Sequence, residues 1–179
     1  MDSLKTETEY YDAMLSCDDK NYILFKDGKL KIRGSSFKGK HLPIVCDKFR
    51  DALCLAVFNK QDVFNVFERF QDLSEFPVRA FQIRIYPSKT DCKTSTLYSK
   101  LLKQVASAGL RVVAGSSLEY VKAVDGYCPV VLFSDQSQID FVYYKNRLAE
   151  IAGRILFKPA KSLRRRLDSG QKSLGDFKN

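Results

Sequence analysis

Histidine is all but missing: His41 is the one imidazole in 179 residues. A histidine-based metal site or a Ser–His–Asp triad would have to be built around it. It lies between Lys40 and Leu42 beside a basic loop with no carboxylate in register, so it reads as a surface or phosphate-side group. Cysteine is scarce and scattered. Cys17, Cys46, Cys54, Cys92 and Cys128 are odd in number and never spaced C-x-x-C, which argues against a disulfide framework or a cysteine zinc site. The plain reading is buried thiols in a reducing cytosol. No apolar run approaches the ~18–20 residues of a membrane helix, since Val112-Val113-Ala114 and Val130-Val131-Leu132-Phe133 are short. Met1-Asp2-Ser3-Leu4-Lys5 lacks the basic-then-apolar layout of a signal peptide. A complete phosphate-cradling loop is also missing. The glycines and lysines from Gly34 to Lys40 are not followed by the hydroxyl that G-x-x-x-x-G-K-[ST] requires. Asp18-Asp19 is a carboxylate pair able to take magnesium, but an exposed acidic turn explains it better. No catalytic site is legible.

What is present is a core and a charge pattern. Apolar residues make up 45% and aromatics 12%, enough to bury a core, which excludes a disordered chain. The length fits one domain or two small ones. Residues 1–19 set Lys5 against six carboxylates, whereas residues 158–179 set seven lysines and arginines against Asp168 and Asp176. These ends carry −5 and +5 and cancel, so the whole net charge of +9 lies on residues 20–157. A basic body with a basic tail suits a polyanionic partner, most simply nucleic acid.

Hydrophobic periodicity sets the expected elements. Leu4 to Leu15 is acidic with apolar positions at helical spacing and predicts a helix. Asn21 to Phe25 and Leu30 to Arg33 are short runs around Lys26-Asp27-Gly28-Lys29, and Asp-Gly between such runs is the strongest short hairpin signal. Gly34-Ser35-Ser36 turns the chain. Pro43 then starts a long helix with Ile44, Phe49, Leu53, Val57 and Phe58 on its apolar face. Val63 to Phe70 continues helical, and Pro77 ends that segment. Phe81 to Tyr86 alternates as a strand. Thr96 to Ala108 reads as a helix closed by Gly109. Leu110 to Val113 and Leu118 to Lys122 read as strands, followed by the short apolar run from Pro129 to Phe133. Ile139 to Phe157 is an amphipathic helix, in which Phe141, Tyr144 and Leu148 read as core. Pro159 breaks it. The remainder, with Arg164-Arg165-Arg166 and Gly170, predicts a flexible tether.

That tether ends in Gln171, Leu174 and Phe177, spaced Q-x-x-L-x-x-F. A 3₁₀ turn eclipses side chains three apart, so Leu174 and Phe177 would form one apolar plug. The Gln171 amide has donors and an acceptor for a partner's backbone. This resembles the peptide by which replication and repair proteins hold the ring-shaped sliding clamp. The usual pattern has a second aromatic after Phe177, where this chain has Lys178.

A wider resemblance covers nearly the whole chain. Lys20-Asn21-Tyr22, the Asp-Gly hairpin and Arg33-Gly34-Ser35-Ser36-Phe37-Lys38 are similar to the end of the palm in family B DNA polymerases, where K-x-Y lies on a strand. Leu101 to Leu110, followed by Gly115-Ser116-Ser117-Leu118-Glu119-Tyr120-Val121, is similar to the helix–glycine–strand–glycine–Tyr-Val passage of the thumb. Asp140-Phe141-Val142-Tyr143-Tyr144 is similar to the D-x-x-Y-Y opening the late thumb helix. Archaeal members end in the same kind of clamp peptide. The resemblance implies an α+β fold: a palm-end β-hairpin, a mainly helical thumb domain with a small β element, and a flexible C-terminal tail. The implied divisions are 1–42, 43–157 and 158–179.

In the family, the carboxylates that hold two metal ions lie before K-x-Y, and they have no counterpart here. The resemblance therefore implies the small subunit of a split polymerase, with an expressed fragment second. Such a chain is inactive alone and carries no cofactor, magnesium belonging to the complete polymerase. The family's C-terminal cysteine clusters are absent, so neither zinc nor an iron–sulfur group is implied. Lys20 and Tyr22 take the place that approaches the minor groove at the primer terminus. Arg33, Lys38 and Lys40 grip primer or template phosphates, which positions a duplex without reading its sequence. Tyr22 reads equally as an aromatic packed beside Phe25. Lys89, Lys93, Lys100 and Lys103 read equally as an extension of the DNA surface or as solvated side chains. The acidic N-terminal segment would complete the palm against the large subunit. The implied partners are primer–template DNA, a large catalytic subunit and the sliding clamp, with no membrane, in the cytoplasm at the nucleoid. Two other classes stay open: a stand-alone accessory protein that binds clamp and DNA, and a small basic nuclease.

Overall fold

The computed structural model describes residues 10–38, 42–87, 96–113 and 115–169. They open with an antiparallel meander of β1 (Ala13–Asp18), β2 (Asn21–Lys26) and β3 (Lys29–Arg33). Asp27 and Gly28 join β2 to β3, both at positive φ, 49° and 74°. A two-residue loop that matches the twist of its strands needs that pair of left-handed residues, and Asp-Gly adopts it at low cost. Strand parity then sorts the side chains. Leu15, Ile23 and Ile32 stand opposite one another on the inner face, and Phe25 on the same face stacks on Phe58 with ring centroids 5.1 Å apart.

The described part of the expected helix from Leu4 to Leu15 is not helical: Tyr10, Tyr11 and Asp12 are irregular, and Ala13, Met14 and Leu15 belong to β1. Ala13 and Leu15 alternate onto the inner face, and the ladder with β2 takes up the backbone groups. Residues 4–9 lie outside the described residues.

Gly34 leads into α1 (Ser35–Lys38), and Pro43, at ψ 151°, starts α2 (Ile44–Phe58). A proline there gives up only an N–H that a helix start leaves unbonded anyway. Phe49, fully buried on α2, meets Phe67 and Phe70 edge-on at and just beyond α3 (Phe64–Arg69). Two 3₁₀ turns, Leu73–Glu75 and Val78–Phe81, lead to β4 (Ile83–Ile85). α4 (Leu97–Ser107) is capped by Thr96, whose Oγ1 accepts from Ser99 N at 3.2 Å. Gly109 follows it at φ 76°. β5 (Leu118–Ala123) and β6 (Gly126–Pro129) complete a second antiparallel sheet in the order β4-β5-β6. Leu110 to Val113 is not a strand: the segment is irregular and Val113 is 79% exposed.

α5 (Phe141–Leu156) packs on α2, and α6 (Ala160–Ser169) packs on α5. α6 corrects the expected tether, whose residues 160–169 are a docked helix. Pro159 begins that helix as well as ending the previous one, its carbonyl accepting from Ser162 N at 3.1 Å. Leu163 and Leu167, one turn apart, are fully buried and anchor it. The main core runs from Leu15, Ile23 and Phe37 through α2, α3 and α5 to these two leucines. Ile83, Tyr98, Leu101, Leu118 and Tyr120 form a separate, smaller core between α4 and the second sheet. The architecture is α+β, as expected. No helix among the described residues is long and apolar enough to cross a membrane.

Candidate nucleic-acid interface

The outer face of the first sheet is built from the residues that parity turns away from the core. Tyr22 stands opposite Arg33, Leu24 opposite Lys31, and Lys26 opposite Lys29. Alternate residues on a strand lie about 6.7 Å apart, so Lys29, Lys31 and Arg33 form a file of cations along β3. All four basic side chains on this face are exposed. Lys20, Lys26, Lys29 and Arg33 have no ion pair among the described residues. Lys31 differs, because its Nζ donates to Tyr11 OH at 2.7 Å and lies 5.4 Å from the centre of the Tyr11 ring.

Lys20 stands exposed in the β1–β2 turn, and Asp18 shapes that turn. The Asp18 carboxylate accepts from Lys20 N at 2.8 Å and from Asn21 N and Nδ2 at 2.9 Å. These bonds, Lys20 N–H first, hold its pKa below the usual carboxylate range. The Asp18-Asp19 pair is thus the acidic turn expected of it, with Asp18 committed to the backbone.

Gly34 closes β3 against the same turn. Its φ is 87°. A β-carbon there would meet the Lys20 carbonyl oxygen and Asn21 Oδ1 well inside contact distance, and Asn21 Cα at 2.7 Å. Only glycine lets the two backbones approach so closely, and this sets Arg33 beside the Lys20 turn. The next turn is pinned from below by Arg50, a residue the sequence reading did not single out. Buried on α2, its Nη1 donates to the Phe37 carbonyl at 3.0 Å, while its guanidinium pairs with Asp47 at 2.6 Å and Asp51 at 2.8 Å. A planar fork of five donors suits three acceptors in such a space. Burial pushes the Asp47 carboxyl up despite the attraction of Arg50. An arginine of this kind carries no local sequence signal, because its acceptor is a backbone carbonyl 13 residues away.

Of the expected DNA-binding set, Lys20, Tyr22 and Arg33 come together here. Lys38 lies in α1, and Lys40 lies outside the described residues with His41. The reading of Tyr22 as packed beside Phe25 is corrected by parity: the two point to opposite faces, and Tyr22 is half-buried on the outer face across from Arg33. Lys26, Lys29 and Lys31 join the site and were missed, although their alternation through the hairpin was legible. Lys100 and Lys103 are exposed on α4, whereas Lys89 and Lys93 lie outside the described residues, as do Gln171, Leu174 and Phe177.

The D-x-x-Y-Y segment is structural. Asp140 caps α5, its Oδ1 accepting from Tyr143 N at 2.9 Å, and its Oδ2 lies 3.5 Å from Lys122 Nζ. Tyr144 is fully buried. Its hydroxyl donates to the Phe81 carbonyl at 2.8 Å and accepts from Lys122 N at 2.9 Å, tying α5 to β5 and to the turn before β4. Burial raises its pKa well above the usual range. Leu148 is also buried, and Phe141 lies edge-on to Phe81. Tyr144→Phe strips both bonds while keeping the ring, so it should lower stability by about 2 kcal/mol. Urea unfolding should show this as a lower midpoint with unchanged slope.

The described residues bring together no group of three His, Cys, Asp or Glu side chains that fits a metal ion. No family model matches the sequence, and no curated protein matches it either. In structure the chain is similar to the family B DNA polymerase of the hyperthermophilic archaeon Pyrobaculum calidifontis, with a TM-score of 0.59 at 18% identity over 81% of this chain. The fold matches part of that polymerase. This chain spans 21% of the polymerase's length.

Proposed function

We propose that the chain is the palm-end and thumb portion of a family B DNA polymerase, acting as the small subunit of a split enzyme. Its task is to hold primer–template duplex for a large catalytic subunit that carries the metal-binding carboxylates and their magnesium. Residues 1–42 complete the palm, 43–157 form the thumb, and the C-terminal segment carries Gln171, Leu174 and Phe177 to the sliding clamp. The work is done in the cytoplasm, at the nucleoid. The observation that carries the reading is the row of Lys26, Lys29 and Arg33, with Lys20 at its end, on the outer face of a polymerase-like fold.

Such a row attracts a polyanion and releases its counterions, which supplies affinity without sequence preference. Tyr22 and Leu24 beside it give an apolar floor for sugars or base edges. A polymerase must hold any sequence it copies, so positioning contacts are the useful kind. Lys38 and Lys40 are part of the same proposed set of phosphate contacts.

Primer extension tests the whole reading. With magnesium, the isolated chain should incorporate nothing, and adding its large partner should restore synthesis. Adding the clamp should lengthen the products, and Phe177→Ala should cancel that gain by removing an anchor worth on the order of 2 kcal/mol. Robust incorporation by the isolated chain would overturn the split-subunit reading.

A further inference from the structure

The two sheets end in four edge strands, β1, β3, β4 and β6, and three of these are guarded. An edge offers a row of unpaired N–H and C=O groups that another strand can extend, and lysine, proline or a very short run is the usual protection. β3 alternates Lys29, Lys31 and Arg33 along its length. β4 is three residues long with the exposed Arg84 at its centre, and the four residues of β6 end in Pro129. β1 lacks such protection. It has six residues, Ala13 to Asp18, and none is Lys, Arg or Pro. Its one irregularity falls late, between Ser16 and Asp18, so Ala13 to Ser16 keep a regular register with β2. Met14, Ser16, Cys17 and Asp18 are exposed, and Met14 keeps 63% of its surface in solvent. Among the described residues, no strand other than β2 bridges β1.

The charges at its ends decide what can cover this edge. Asp12 precedes β1, and Asp18 and Asp19 close it, with Lys20 following them in the turn. A second copy added antiparallel about the middle of β1 would set Asp12 against Asp18 or Asp19 at both ends. A parallel copy in register would place each acid beside itself. Like charges directly opposite destabilise a strand pair, whereas opposite charges support it. The complement of this edge is therefore a strand of different sequence, apolar where it runs beside Met14 and Leu15 and basic at both ends. Charges matched in this way also fix the register of the added strand and exclude wrong partners.

We propose that β1 is the docking edge for an extended segment of a partner protein, apolar at its centre and basic at its ends, which adds a strand to the first sheet. The proposal rests on this edge alone, and not on the split-enzyme reading or on the row of cations on β2 and β3. The probe is a short peptide of alternating valine and threonine with a lysine at each end, mixed with the full chain. Hydrogen exchange of the chain alone should be fast at the β1 amides that point away from β2, and the peptide should slow them. In fluorescence anisotropy, the labelled peptide should bind about tenfold more tightly than one ended in glutamate. A peptide N-methylated at every amide has no donor for an edge and should not bind. Met14→Lys should weaken binding about tenfold by guarding the edge, and the thermal midpoint should hold because the Met14 side chain is in solvent. Any of five results would overturn the proposal. They are slow exchange at those amides in the chain alone, a dimer in sedimentation that Met14→Lys separates, no binding of the lysine-ended peptide, equal binding of the glutamate-ended one, or binding of the N-methylated one.

Discussion

Gly34→Ala is expected to cost about 3 kcal/mol or more. Two terms add. A β-carbon at φ 87° sits in the left-handed region, worth about 1–2 kcal/mol. The same carbon collides with the Lys20 carbonyl oxygen and with Asn21, and forced overpacking typically costs about 1–3 kcal/mol. The carbonyl belongs to the backbone and cannot rotate away. Relief would require the β1–β2 turn to lift off β3, breaking the pairing of Tyr22 with Arg33. Gly28→Ala is the control, because its φ is 74° but nothing lies within 4 Å of its added carbon. Thermal unfolding of both variants separates strain from collision. At roughly 2–4 °C per kcal/mol for a chain of this size, Gly34→Ala should melt about 6–12 °C below the parent, and Gly28→Ala only a few degrees below. Equal losses in the two would show that the close approach is not felt.

The second large effect is on DNA. Replacing Lys26, Lys29 and Arg33 together by glutamine removes three exposed charges that have no ion pair among the described residues. Each phosphate contact contributes about 0.9 to the slope of log affinity against log salt. The slope should therefore flatten by roughly 2.7, and affinity for duplex at 0.1 M salt should fall by two to three orders of magnitude. Stability should hold, since neutralising a file of like charges relieves repulsion. Lys31 is left in place because its Nζ is bound to Tyr11. Titrations of one blunt duplex at several salt concentrations measure the effect. An unchanged slope would move the duplex to another surface.

Much of the fold was legible because its signals were local. Asp27-Gly28 named the hairpin, Pro43 the start of α2, Thr96 the start of α4, and the spacing from Phe141 to Ile155 the run of α5. The misreadings share a cause, since each outcome was decided by a distant partner. Ala13 to Leu15 carries apolar residues compatible with either period, and pairing with β2 chose the strand. Leu110 to Val113 has β-forming residues but joins no sheet among the described residues, Val112 packing its side chain against the smaller core instead. α6 looked like a tether because two leucines among four basic residues seem too little to dock a helix. Those two fall one turn apart and are fully buried against the main core. In the candidate site, Lys20, Tyr22 and Arg33 were reached through resemblance to a family. Lys26, Lys29 and Lys31 followed from hairpin parity alone and were passed over. Arg50 had no signal at all, because a buried donor to a backbone carbonyl depends on tertiary approach.

The two cores have a consequence for how the molecule breathes. The smaller one rests on Ile83, Tyr98, Leu101, Leu118 and Tyr120, a fraction of the apolar area that fixes α2 and α5. It joins the larger one along β5, where Val121 faces the main core while Leu118 and Tyr120 face the small one. The Tyr144 hydroxyl clasps that strand at Lys122. Local opening free energies follow such differences in burial. The unit of α4 and the second sheet can therefore exchange its amide hydrogens through sub-global excursions that leave α2 and α5 protected, with β5 as the border between a fast-exchanging and a slow-exchanging half.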